Sequence, residues 1–170
     1  MSTYMYTTSV PVFKQLLNSL SVMLNKAEAY ATEKKFKPEV LLEARLFPDM
    51  FPLNRQVQVA TDFAKSVSAR LAGVDIPAYD DDNEPTFADL QARIGKTLSF
   101  IESLTPAQFD GSETREIVLR PGTPKERKMA GQTYLCNYGL PQFFFHVTTA
   151  YAILRHNGLE VGKGDFMGAY

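Results

Sequence analysis

FFFHVTTAYAILRHNG, Phe143 to Gly158, is the most informative stretch of this chain. Stepping about 100° per residue from Phe143, the side chains of Val147, Ala150, Tyr151 and Leu154 gather near about 20°, the apolar stripe of an amphipathic helix. Gly158 stands where a left-handed glycine commonly ends such a helix. His146 falls at about 300°, on the margin of the stripe, and Gln142, one turn earlier, at about 260°, with Thr149 and Ile153 on the same flank. Gln142, His146 and Thr149 therefore form a polar seam beside the core. A histidine there either bonds a neighbour at the core's edge or serves as a ligand or base, and both readings stand.

The same periodicity recurs upstream. Val12, Phe13, Leu16, Leu20, Met23, Leu24, Ala27 and Tyr30 carry a first helix from Val10 to about Lys34, with Ser9 placed to cap it and Pro11 in the first turn. Pro48 and Pro52 break the next segment into a connector. Leu53, Val57, Ala60, Ala64, Val67 and Leu71 carry a second helix from Leu53 to Ala72, closed by Gly73, and Gln56 lies near the centre of its apolar face, where its amide needs partners. After the acidic loop DIPAYDDDNEP, Thr86 and Asp89 form a shortened capping box for a third helix, Phe87 to about Leu104, and Thr105-Pro106 starts one further turn. REIVLRPGTPKERKMAG, 115–131, alternates like a small β-hairpin. The fourth helix spans about Leu140 to Asn157, and Leu159, Val161 and Phe166 of the tail fold back on it. This predicts an all-α fold: a four-helix bundle in a single domain, 1–170, with a small β-hairpin between helices 3 and 4 and connectors long enough for crossovers.

The chain of 170 residues carries 18 basic and 19 acidic side chains, a formal charge of -1. That balance, with no basic helix or aromatic-basic array, argues against nucleic acid as a partner. No apolar run approaches the ~20 residues of a membrane span, the N-terminus has no signal-peptide pattern and the one cysteine, Cys136, cannot pair within the chain, so a cytoplasmic protein is expected. Cys136 reads as a buried, inert thiol. Asp62 projects away from the stripe and reads as solvated. Arg45, Asp49 and Glu43 read as an ion-paired cluster holding the connector, and His156 as a helix C-terminal cap too far from His146 to share a metal. Asp80, Asp81, Asp82 and Glu84 lack the alternation and glycine of a calcium loop. Phe143, Phe144 and Phe145 cannot all face one core, so at least one of them is expected to pack on the tail or on another subunit.

RLFPDMFPLNRQVQ at 45–58, FFFHVTTAYAILRHNG at 143–158 and GKGDFMG at 162–168 resemble the DUF1993 family of the DinB-like superfamily. The resemblance implies a four-helix bundle, commonly a homodimer, with no established reaction. Metal-dependent members of the wider superfamily hold a divalent metal with one histidine from the second helix and an HxxxH pair from the fourth, whose last histidine precedes an arginine by the spacing that separates His146 from Arg155. By that likeness His146 is the metal-ligand and catalytic candidate. Gln142 takes the other helix-four position, and Gln56 is the inward polar residue of a second helix without histidine. Two functions follow: a DinB-like protein whose pocket of His146, Gln56, Gln142 and Thr149 is a degenerate or weak divalent-metal site, or a non-catalytic dimeric module that binds a small ligand or a protein. Whether it is an enzyme stays open between them.

Overall fold

Helix α1 runs from Val10 to Lys34, α2 from Leu53 to Ala72, α3 from Phe87 to Glu102 and α4 from Leu140 to His156, in a computed structural model that describes residues 4–79 and 83–170. Short helical turns lie at Tyr4–Thr7 and Glu39–Leu42, a 3-10 turn at Pro106–Phe109, and α5 at Lys163–Met167. Strands β1, Glu116–Leu119, and β2, Arg127–Ala130, form an antiparallel hairpin between α3 and α4. The helix ends follow from backbone chemistry. Gly73 (φ 70°) and Gly158 (φ 91°) adopt the left-handed conformation that costs glycine nothing, and the next N–H in each case turns back into the last turn, Val74 to Ala69 at 3.0 Å and Leu159 to Leu154 at 3.2 Å. Thr86 and Asp89 form the expected capping box, each side chain taking the other's backbone N–H.

The broadest helix–helix interface joins α2 to α4, while α3 packs between α1 and α2 and α1 touches α4 more lightly. Around the bundle the order is therefore α1, α3, α2, α4. With α1 and α2 on a diagonal, the connector 35–52 crosses one end of the bundle, the crossover that its length allows. Leu17, Leu20, Leu24, Val57, Ala60, Ala64, Leu90, Ile94, Phe143, Val147 and Leu154 are fully or almost fully buried between the helices.

The fourth helix begins earlier than the periodicity indicates. Gly131–Tyr134 is already helical and leads through a widened π turn, Leu135–Gly139, into α4. Pro141 has no N–H to give to the carbonyl four residues before it, and the ladder changes step just ahead of it. Both glycines in this stretch are held by contact: a Cβ on Gly139 would lie 2.8 Å from Val67 Cγ2, and one on Gly131 would lie 1.9 Å from the Ser112 carbonyl oxygen. The π turn also carries Cys136 to the surface, so the thiol is exposed rather than buried.

Three other expectations change. Ser9 does not cap α1: its hydroxyl donates to the Met5 carbonyl at 2.5 Å, because Tyr4–Thr7 is itself a helical turn that supplies the acceptor. Asp62 is half-exposed but paired with Arg93 (2.8 Å) and Lys65 (3.3 Å). Arg45 donates to the Met50 carbonyl at 3.3 Å, and among the described residues no ion pair joins it to Asp49 or Glu43. The tail folds back as expected. Leu159 and Val161 are buried, Phe166 packs on Tyr151 with ring centroids 5.9 Å apart, and Lys26 of α1 holds Asp165 of α5 at 2.5 Å. Of the three consecutive phenylalanines, Phe143 is buried while Phe144 and Phe145 stand exposed. No helix among the described residues is long and apolar enough to cross a membrane.

Candidate functional site

Pro52 ends the connector in an extended conformation and α2 starts at the next residue. This fold-back sets the Phe51 carbonyl within 3.1 Å of Gln56 Nε2, which donates to it. With its nitrogen so engaged, the Gln56 amide turns Oε1 across the helix interface to His146 Nδ1, 2.7 Å away. An amide oxygen only accepts, so Nδ1 carries the imidazole proton and Nε2 keeps its lone pair. The ring lies nearly parallel to those of Phe51 (20°, 6.5 Å between centroids) and Phe63 (15°, 6.0 Å), and Phe145 meets it edge-on at 5.2 Å. Only 6% of His146 is exposed. Burial among aromatic rings, together with the positive charge of Arg55, lowers its pKa from 6.5 to about 4, so it is neutral at physiological pH.

Gln56 and His146 thus meet as the wheel allows, whereas Gln142 and Thr149 part from them. Gln142 opens on a cavity of about 220 Å³ that it shares with Leu119, Arg120, Lys125, Arg127 and Tyr138. The Thr149 hydroxyl is spent on the Phe145 carbonyl at 2.7 Å, and the residue borders an apolar groove with Leu46, Pro141, Phe144 and Phe145. The seam is one line on the helix but two surfaces in the fold.

A divalent metal held in the superfamily's manner does not fit these residues. Among the described residues no three His, Cys, Asp or Glu side chains are grouped to hold one. Gln56 uses its carbonyl on Nδ1, behind the ring, where it orients the imidazole instead of joining a metal at Nε2. Gln142 stands among cations. An amide is in any case a poor donor beside imidazole for zinc-like ions.

A second polar cluster escaped the sequence. Arg93 of α3 is 5% exposed, and its guanidinium reaches Thr61 Oγ1 (2.8 Å), Asp62 (2.8 Å) and Glu84 (2.9 Å). Glu84 also accepts from Gln58 at 2.7 Å, and Gln58 from Arg55 at 3.1 Å, which ties the cluster to the charge beside His146. Lys65, Lys96 and Arg93 surround the Tyr79 ring at 3.6, 4.4 and 5.2 Å. The cluster pins the segment before α3 to α2. The signals were an arginine inside an apolar stripe and a glutamate nine residues before it; Asp80, Asp81 and Asp82, read with Glu84, lie outside the described residues.

The model of a domain of unknown function, DUF1993, matches residues 5–167. A crystal structure of a DinB family member protein from Shewanella denitrificans superposes with a TM-score of 0.93 at 39% identity, covering 100% of this chain and 97% of that one. No curated protein matches the chain.

Proposed function

The chain belongs to the DUF1993 family and shares the DinB fold, and from that premise we propose that it is a small-ligand-binding bundle in which a neutral His146 replaces the superfamily's metal centre. The observation that carries this is the His146–Gln56 pair: one imidazole nitrogen is fixed as a donor to the amide, which leaves the other as a hydrogen-bond acceptor for a ligand. A base with a pKa of about 4 is nearly powerless to take protons at pH 7, which favours binding over general-base catalysis. Elemental analysis of protein purified without chelator tests the reading. Substoichiometric metal, unchanged in His146→Ala, is expected. One divalent ion per chain, lost in that variant, would restore the metal site and overturn it.

The bundle acts as a homodimer in this reading. Its support is the apolar surface formed by Leu46, Phe144 and Phe145, all 38–56% exposed, around a groove of about 430 Å³. Light scattering should give twice the chain mass, falling to one in Phe145→Glu, and a monomeric wild type would remove this part.

A further inference from the structure

The hairpin holds a feature that its strand pattern does not call for. Residues paired directly across an antiparallel ladder share a face, and Ile117 with Leu119 form the buried face of β1. Their partners are Met129 and Arg127, so a guanidinium occupies the inward register position beside Leu119 where an apolar residue would be expected. Arg120 and Lys125 line the same cavity of about 220 Å³, and Tyr138 and Gln142 close it from the α4 side. Among the described residues no carboxylate lines it. Glu126, the acid within the hairpin loop, instead accepts the Gly122 N–H at 2.7 Å. Among the described residues, none of the three cationic side chains has an ion pair or hydrogen bond.

Two backbone irregularities border this cavity. Arg120 adopts φ 51°, a left-handed conformation rare outside glycine and costly for a side chain with a β-carbon. Tyr138 lies in the π turn, a rare irregularity that is frequent at functional sites. Three like charges line this one cavity, and an anion seated there would gain from all three at once. Tyr138 then packs on Phe63 (5.8 Å between centroids), and Phe63 on His146 (6.0 Å), so the cavity and the neutral imidazole are two ends of one side-chain row.

We propose that the Arg120–Lys125–Arg127 cavity is an anion subsite that binds the phosphate group of a small phosphomonoester, with Tyr138 and Gln142 as neutral hydrogen-bonding partners. Two guanidinium forks and an ammonium match a doubly charged tetrahedral oxyanion better than a single carboxylate. The inference deepens the small-ligand reading and rests on it in taking this cavity and His146 as parts of one site. The experiment is a titration of the full chain with inorganic phosphate at constant ionic strength, followed by amide ¹H–¹⁵N spectra, with chloride and acetate in parallel. Saturable shifts confined to 119–127 and 138–142 are expected with phosphate and not with chloride or acetate. Binding should weaken by about tenfold or more in Lys125→Gln/Arg127→Gln, both exposed positions, and stay unchanged in Lys37→Gln, an exposed lysine outside the cavity lining. Absence of saturable shifts, equal shifts with chloride, or unchanged affinity in the double variant would overturn the proposal. Failure of the small-ligand reading would register separately, as stoichiometric metal lost with His146.

Discussion

Acidification should unfold this bundle in a way that traces to one imidazole. In the unfolded chain His146 takes a proton near its ordinary pKa of 6.5, while in the fold it resists until about 4. As pH falls between these values the unfolded state binds more protons than the native one, so stability drops throughout the window. The contribution of the neutral ring is fully present above about pH 6.5 and gone below about pH 4. At about 1.4 kcal/mol per pH unit, the gap corresponds to about 3 kcal/mol. Carboxylates titrate in part of the same range, so the assay compares urea unfolding of wild type and His146→Gln, which keeps a donor for Gln56 Oε1, from about pH 7.5 to about pH 4. Wild type should lose about 3 kcal/mol more than the variant. Equal losses would mean that the imidazole titrates in the fold as it does in water, and the desolvated, arginine-flanked environment would be refuted.

Other perturbations test the frame around the site. Arg93→Met leaves Glu84 nearly buried without its cation and Asp62 with only Lys65, and should cost about 3 kcal/mol in urea unfolding, at the lower end for a broken buried pair because Asp62 is half-exposed. Gly131→Ala drives a methyl into the Ser112 carbonyl while the Gly131 N–H is held by Arg115 at 2.9 Å, so thermal unfolding should show a loss of about 3 kcal/mol or more. Thr86→Ala removes an exposed helix cap and should cost about 1 kcal/mol with the His146–Gln56 geometry unaltered in ring ¹⁵N shifts.

The long helices are legible in the chain because their boundaries have local causes. Val10–Lys34 and Leu53–Ala72 are framed by prolines at one end and left-handed residues at the other, and Phe87 starts after a capping box, so periodicity and punctuation agree. The hairpin and the docked tail follow from alternation and from apolar residues left without a helix. The start of the fourth helix was hidden because a π turn breaks the 3.6-residue period that a wheel assumes. Gln56 and His146 could be brought together in advance, each being a polar residue turned toward a core. Arg93 could not, since its partners Asp62 and Glu84 lie on other segments and burial of a charge is set by tertiary pairing. The separation of Gln142 and Thr149 was likewise invisible: the wheel assigns azimuth on α4 but does not show that the hairpin builds a cationic wall against one end of the seam.

At neutral pH His146 should be a neutral imidazole, held by Gln56 through Nδ1 with Nε2 unprotonated and free of metal. A long-range ¹H–¹⁵N spectrum of the histidine rings at neutral pH, recorded on protein purified without chelator, reads this directly. One ring with a protonated Nδ1 and a pyridine-like Nε2, unchanged when chelator is added, is the expected result. An imidazolium, a proton on Nε2, or a ¹⁵N shift that moves when chelator removes a bound ion would contradict it.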